Sequence, residues 1–149
     1  MNESVARFTA GQEGHLPGLL GLEWIDAKPG WVEGRFEVQR HHLAPNNYLH
    51  AASVVALADS ACGFGCLNAL PEGATGFTTV ELKANFIGTA REGGVRCEAR
   101  LVHAGRTTQL WDAEVKSEAT GKTIALFRCT QMILYPRAAG QSSGAIRTA

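Results

Sequence analysis

The sequence predicts an α+β protein in which an antiparallel sheet wraps around one long buried helix. The first observation is a nearly apolar run at residues 51–70, in which Asp59 is the one charged side chain. The second is a change of period after this run, where apolar and polar residues alternate as they do in strands. Because one helix is followed by consecutive strand-like segments, a helix packed on a sheet is the expected architecture.

The segments before the helix predict a short helical turn and two strands. The turn covers residues 16–21, and the strands cover residues 22–27 and 31–38, joined by a Pro-Gly turn. A polar loop at residues 41–50 leads into the helix. The remaining strands are predicted at residues 77–86, 95–102, 107–117 and 122–134.

The central helix is apolar on nearly all sides, so we expect it to be buried. Gly63 and Gly65 lower its helix propensity. We expect these glycines to allow close approach to another backbone, either the sheet or a partner chain.

Length and charge restrict the class of protein. A chain of 149 residues predicts one domain, which we place at residues 1–137, with residues 138–149 as a disordered tail. The formal net charge is zero, which argues against a protein built to bind nucleic acid. No stretch looks apolar for long enough to span a bilayer. The first residues lack a signal-peptide pattern, so we expect a cytoplasmic protein with no membrane partner.

The cysteine and histidine positions predict no metal site. Four cysteines at positions 62, 66, 97 and 129 have neither zinc-site nor disulfide spacing, so we expect buried thiols. His41, His42 and His103 are interpreted as surface or turn residues. No metal or other cofactor is therefore expected.

Asp59 is the most informative residue of the sequence. Its helical neighbours include Val55, Ala56, Cys62 and Gly63, all of them apolar or small. A carboxylate in such surroundings is costly to desolvate unless it is paired. Since perturbed pKa values cluster at functional sites, Asp59 is the first candidate for a catalytic group.

Several motifs carry a family resemblance. Residues 42–59 read HLAPNNYLHAASVVALAD, with Asp59 nine residues after His50, and residues 102–108 read VHAGRTT. Together with the strand at residues 78–86, these resemble the hotdog-fold acyl-CoA thioesterases, most closely the phenylacetate-degradation and 4-hydroxybenzoyl-CoA thioesterase branch. The resemblance implies a hotdog fold and hydrolysis of an aryl or medium-chain acyl-CoA, with coenzyme A as part of the substrate.

The sequence departs from this family pattern at four positions. Ala51 and Ala52 stand where the family has Gly-Gly, and Ala44 stands where Asn is frequent. Asn47 replaces a glycine, and asparagine tolerates left-handed backbone geometry better than most residues. The loop is therefore expected to keep its shape, although Ala44 removes a polar group that could contact water or substrate.

The resemblance and helix physics together imply the catalytic roles. Asp59 is either the general base or the nucleophile. Ala51 and Ala52 are expected to present free N–H groups at the helix N-terminus, and the Ala51 N–H would stabilise the oxyanion. His50 would cap or shape the loop, and Thr79 would position water. The remaining implied contacts are Asn47, Ala52 and Gly63 for substrate, and Arg106, Thr107, Arg137, Lys83 and Arg91 for coenzyme A.

Helix geometry separates the two main catalytic groups. Eight residues place Asp59 roughly 12 Å along the helix axis from Ala51. If both act on one thioester, they must come from different chains. A two-fold dimer with antiparallel helices, alone or as part of a tetramer, would supply two such sites.

Two other functions are compatible with the sequence. One is a hotdog hydratase or dehydratase acting on acyl thioesters, which the nine-residue spacing disfavours. The other is a non-catalytic acyl-CoA binding module, which the loss of a polar side chain at Ala44 keeps open.

Overall fold

The computed structural model describes residues 2–139 of the chain. A sheet of six antiparallel strands curves around one long helix, and two shorter helices precede the first strand. The helices are α1 (Glu3–Gly11), α2 (Leu16–Leu19) and α3 (Ala51–Asn68), and the strands are β1 (Glu23–Lys28), β2 (Trp31–Glu37), β3 (Gly76–Phe86), β4 (Gly94–Ala104), β5 (Thr108–Ser117) and β6 (Thr123–Leu134).

The strand order β1-β2-β4-β5-β6-β3 places β3 at one edge of the sheet, next to β6. Alternate residues of the central strands are buried, as in β5, where Trp111, Ala113 and Val115 face α3. This period of two is the pattern that the sequence showed, so the predicted strands and the predicted layer arrangement are confirmed.

Helix α3 fills the concave face of the sheet because its buried side carries small or slender residues. Leu57, Ala61 and Cys62 have no exposed surface. A Cβ atom on Gly65 would lie 2.5 Å from Cη2 of Trp111 on β5. Gly65 therefore allows close approach of the indole ring, and the expectation that a backbone would be the close neighbour is wrong within residues 2–139.

Helix α1 was not predicted, because only Val5 and Phe8 mark its apolar side. The Asn2 side chain caps it by accepting a hydrogen bond from the Val5 N–H at 3.0 Å. Phe8 stacks on Phe64 of α3 with ring centroids 4.5 Å apart and meets the edge of Trp24. These aromatic contacts with α3 and β1 stabilise α1 where its local sequence signal is weak.

The sequence predicted that no stretch is apolar for long enough to span a membrane. Judged by length and composition alone, this prediction was wrong. Within the described residues, α3 is long and apolar enough to cross a bilayer, with a mean hydropathy of 1.3. The sheet covers its buried side, and packing in the core accounts for this apolar character.

The predicted domain limits remain predictions. The proposed disordered tail begins at residue 138, and residues 140–149 lie outside the described part of the chain.

Candidate active site

The loop before α3 is a narrow hairpin that ends at the helix. Leu43 and Leu49 form an antiparallel bridge, and the Ala44 N–H donates to the Tyr48 carbonyl at 2.7 Å. Asn47 has a positive φ of 63°, in the left-handed region where the family pattern has glycine. The loop therefore has the tight turn that the sequence predicted for Asn47.

His42 anchors this loop from the core, which corrects its interpretation as a surface or turn residue. It is 1% exposed. Its Nδ1 accepts from the Gln39 N–H at 2.9 Å, so its Nε2 donates to the Leu20 carbonyl at 2.8 Å. Its carbonyl accepts from the His50 N–H and the Ser53 hydroxyl. Burial lowers the pKa of His42, which keeps the ring neutral in this role.

His50 caps the N-terminus of α3. Its Nδ1 accepts a hydrogen bond from the Ala52 N–H at 2.9 Å. The expectation that Ala52 presents a free N–H is therefore wrong, because the cap satisfies that donor. The Ala51 N–H has no hydrogen-bond partner among residues 2–139, and Ala51 is exposed. One free donor thus lies at the positive end of the helix dipole.

Asp59 lies two turns further along α3 and is half-buried. Among the described side chains, its Oδ1 is a buried oxygen without a hydrogen-bond partner. Burial raises the pKa of Asp59 above its ordinary value of 3.8, because desolvation penalises the carboxylate. The carboxylate is therefore a stronger base than a solvated one.

A small cavity of about 180 Å³ lies beside Asp59. Its walls are mainly apolar and come from α2, α3 and β3. A Cβ atom on Gly63 would lie 3.1 Å from Cζ of Phe77, so this glycine leaves room for the ring that forms one wall. The lining residues are Pro17, Asp59, Ser60, Gly63, Phe64, Leu67, Phe77 and Thr79.

Thr79 joins Asp59 in this cavity from the neighbouring strand. Its hydroxyl donates a hydrogen bond to Oε1 of Gln131 on β6 at 2.7 Å. The structure therefore brings together three of the predicted site residues, Asp59, Thr79 and Gly63. Ala51 and His50 lie at the N-terminus of α3, and Ala51 is roughly 12 Å from Asp59 along the helix axis.

The predicted coenzyme A contacts fall into three separate places. Arg106 and Thr107 lie exposed in the β4–β5 turn, where the Tyr135 hydroxyl donates to the Arg106 carbonyl, and Arg137 follows two residues after Tyr135. Arg91 lies over the ring of Tyr48, at 4.2 Å, beside the loop that precedes α3.

Lys83 occupies the third place, on the outer face of the sheet. Lys83 is the register partner of Arg128 on β6. Arg128 is in turn the register partner of Asp112 on β5 and forms an ion pair with that residue. Leu82, the sequence neighbour of Lys83, pairs instead with the buried Cys129. Because adjacent strand residues point to opposite faces, Lys83 faces away from Asp59.

The four cysteines are free and buried, as predicted. Burial raises the pKa of Cys66 to about 12, so this thiol stays protonated at neutral pH. A hydrogen bond with Cys129 and burial also raise the pKa of Cys62. Among residues 2–139, no group of three or more His, Cys, Asp or Glu side chains is placed to hold a metal ion.

The free N–H at the start of α3 and the desolvated carboxylate beside an apolar cavity are groups of the kind that can act on a carbonyl compound. The sequence profile of the thioesterase superfamily matches residues 46–124, from this loop to the start of β6. The chain therefore belongs to the thioesterase superfamily and is a thioester hydrolase.

The names of individual relatives agree with membership of this superfamily. A putative esterase of Deinococcus radiodurans is 32% identical over 134 residues, covering 86% of this chain and 82% of the relative. A 1,4-dihydroxy-2-naphthoyl-CoA hydrolase of Escherichia coli is 30% identical over 125 residues, covering 82% and 88%.

The fold also matches solved structures. A mutant thioesterase of Pseudomonas aeruginosa superposes with a TM-score of 0.83 at 25% identity, covering 90% of this chain and 96% of that one. The predicted hotdog fold and family are confirmed. The phenylacetate-degradation branch stays a prediction.

Proposed function

We propose that this protein hydrolyses an acyl-CoA thioester to a free acid and coenzyme A, with Asp59 as the catalytic carboxylate. The observation that carries the proposal is the half-buried carboxylate of Asp59, which lines an apolar cavity and whose Oδ1 has no hydrogen-bond partner among residues 2–139. A desolvated carboxylate holds a proton more tightly than a solvated one, which suits a general base. The name of the Escherichia coli relative supports a coenzyme A thioester as substrate.

As a general base, Asp59 removes a proton from water while the water oxygen attacks the thioester carbonyl carbon. The C–S bond then breaks, and the departing thiolate of coenzyme A takes the proton from Asp59. As a nucleophile, Asp59 attacks the same carbon, expels coenzyme A, and forms a mixed anhydride that water hydrolyses. Label in Asp59 after a single turnover in heavy-oxygen water would identify the anhydride, because general-base attack by water puts the label only in the product acid.

The Ala51 N–H is the proposed oxyanion donor. It lies at the helix N-terminus, where the dipole adds positive potential, and it is exposed and free of partners among residues 2–139. A hydrogen bond there becomes stronger as the carbonyl oxygen gains charge in the transition state. Alanine retains this donor as glycine would. His50 contributes by fixing the first turn through its hydrogen bond with Ala52.

If both groups act on one thioester, the distance between them means that the site is shared by two chains. Asp59 and the Ala51 N–H belong to one continuous helix and are roughly 12 Å apart along it. A carbonyl within hydrogen-bond distance of one is out of reach of the other in the same chain. Two antiparallel copies of α3 related by a two-fold axis would bring Asp59 of one chain to Ala51 of the other.

The edge strand β3 supports association between chains. Val80, Leu82 and Phe86 are 53%, 44% and 47% exposed, and Ile87, directly after the strand, is 62% exposed. An unprotected apolar edge strand is a surface that proteins cover by pairing or packing. A second copy of this chain on β3 would cover these side chains and extend the sheet. We propose a homodimer, alone or within a tetramer.

The volume and the walls of the cavity beside Asp59 support a proposal for the kind of acyl group in the substrate. Its volume of about 180 Å³ and its walls of Phe64, Leu67 and Phe77 suit an aryl or medium-chain acyl group rather than a polar one. Asn47 and Ala52 would lie near the thioester, at the mouth of the shared site. For the nucleotide of coenzyme A, Arg106, Thr107 and Arg137 form one candidate surface, and Arg91 forms a second beside the loop; Lys83 is the weakest candidate, since it faces outward.

A panel of acyl-CoAs tests the proposal through release of free thiol. The wild type should hydrolyse at least one aryl or medium-chain member, and Asp59→Asn and Asp59→Ala should lose about 100-fold or more in kcat. Asp112→Asn is the matched control, because it removes an exposed carboxylate on the outer face. Full turnover in both Asp59 variants would remove Asp59 from the mechanism.

The same panel separates the alternatives. A non-catalytic binding module would retain acyl-CoA tightly without releasing thiol. A hydratase would consume the absorbance of a 2-enoyl thioester while leaving the thioester bond intact.

A further inference from the structure

Three polar side chains form a row across the inner face of the sheet. Thr79 on β3 is the register partner of Gln131 on β6, and Gln131 is the register partner of Gln109 on β5. The two glutamines are 0% and 1% exposed. Most other inward positions of β5 and β6 are apolar, so each buried amide requires an explanation.

Hydrogen bonds with structural groups of the fold explain why the amide of Gln109 is buried. Its Nε2 donates to the Ala69 carbonyl at the end of α3 at 2.7 Å, and its Oε1 accepts from the indole N–H of Trp111 at 2.9 Å. Without Gln109, the indole N–H of the fully buried Trp111 would lack this hydrogen bond. Gln109 therefore satisfies the end of the helix and the core tryptophan.

Gln131 has a different set of partners. Its Oε1 accepts from the Thr79 hydroxyl at 2.7 Å. Among residues 2–139, its Nε2 reaches only Cys129 Sγ, a weak acceptor, at 3.4 Å. Burying an amide with one weak partner costs more than burying an apolar side chain of the same size. Its one strong partner, Thr79, lines the cavity that holds Asp59.

We infer that Gln131 is a positioning residue for the hydrolysis, acting through the Thr79 hydroxyl. This inference rests on the proposed function of Asp59. A hydroxyl has one proton and two lone pairs. Because the proton is given to Gln131, the Thr79 oxygen offers lone pairs to the cavity. A water that donates one proton to Thr79 and the other to Asp59 is then held for attack on the thioester.

The loss of Gln131 would release the Thr79 hydroxyl. Its proton could then turn toward the Asp59 carboxylate, a strong acceptor in the same cavity lining. A carboxylate that accepts this bond is a weaker base, and the acceptor for water is lost. Substrate contacts would remain, since Gln131 lies behind Thr79 and outside the cavity lining.

The test compares kcat and KM of Gln131→Met, Thr79→Val and the double variant, using the acyl-CoA that the wild type hydrolyses best. We expect Gln131→Met to lower kcat about tenfold while KM stays within about twofold. In the Thr79→Val background, the same substitution should cause no further loss of kcat. Thr79→Ser, which keeps the hydroxyl, should retain activity close to that of the wild type.

Gln109→Met is the matched control, since it removes an equally buried glutamine from the same row. It should lower the melting temperature but leave kcat within about twofold. If Gln131→Met does not fold, Gln131→Leu is used in the same double-variant comparison.

Three results would overturn the inference. These are an unchanged kcat in folded Gln131→Met, an equal additional loss in the Thr79→Val background, or an equal loss of kcat in Gln109→Met. Failure of the proposed function is recognised separately, because Asp59→Asn would then retain full turnover or the wild type would release no thiol.

Discussion

The Nδ1 atom of His50 accepts a hydrogen bond from the Ala52 N–H at 2.9 Å, whereas the Ala51 N–H at the start of α3 has no partner among residues 2–139. Histidine is not among the usual N-cap residues, yet here it satisfies one of the unpaired donors of the first turn. The cap therefore gives the N–H groups of Ala51 and Ala52 different roles. One N–H stabilises the helix, and the other is available to a ligand.

Ala51→Pro should remove the oxyanion donor with little effect on the fold. Ala51 is the first helical residue, where proline is well tolerated because its missing N–H has no helical partner. His50 has φ −68° and ψ 135°, which is the geometry that a residue before proline prefers. We expect kcat to fall by about 100- to 1,000-fold, as when one oxyanion donor is lost.

Steady-state hydrolysis and a circular dichroism melt would check this prediction. Ala51→Gly is the control, because it keeps the N–H and should keep the activity. A folded Ala51→Pro variant with wild-type kcat would show that the donor lies elsewhere.

Mixing two inactive variants should restore activity if the site is shared between chains. In a mixed dimer of Asp59→Asn and Ala51→Pro chains, one site combines the intact Asp59 of one chain with the intact Ala51 of the other. The second site carries both substitutions. Random exchange of subunits should therefore restore about a quarter of the wild-type sites.

Co-refolding equal amounts of the two variants and measuring thiol release provides the measurement. The separately refolded variants, combined only in the assay, are the control. No recovery in mixed dimers that are proven to form would mean that each site belongs to a single chain.

Asp59→Asn should stabilise the protein at neutral pH although it inactivates it. Burial raises the folded-state pKa of Asp59 above its ordinary value of 3.8. The stability that this group contributes is therefore present below that ordinary pKa and is lost as pH rises through the raised pKa. Removing an unpaired buried charge should gain on the order of 1 kcal/mol at pH 7, or about 2–4 °C in melting temperature.

Thermal melts at several pH values would measure this gain, which should shrink toward zero as pH falls below 3.8. Asp112→Asn removes an exposed ion-pair partner of Arg128 and should change stability little. A melting temperature of Asp59→Asn below that of the wild type at pH 7 would contradict the account of an unpaired carboxylate.

Local sequence patterns predicted most of the fold. The apolar run around Asp59 identified α3, and period-two alternation identified all six strands within a few residues of their bounds. Helix α1 was missed because Val5 and Phe8 alone do not make a periodic pattern. Its position depends on the aromatic rings of Trp24 and Phe64, which lie far away in the sequence.

The sequence by itself determined the helix-on-sheet architecture, the isolated carboxylate of Asp59 and its separation from Ala51, because periodicity and helix rise act between near neighbours in the chain. The tertiary structure decided which side chains surround these groups. His42 became a core anchor through a contact with residue 20, and Thr79 met Gln131 across 52 residues of sequence. Such pairings depend on strand register, since register determines which distant residues face each other on the same side of a sheet.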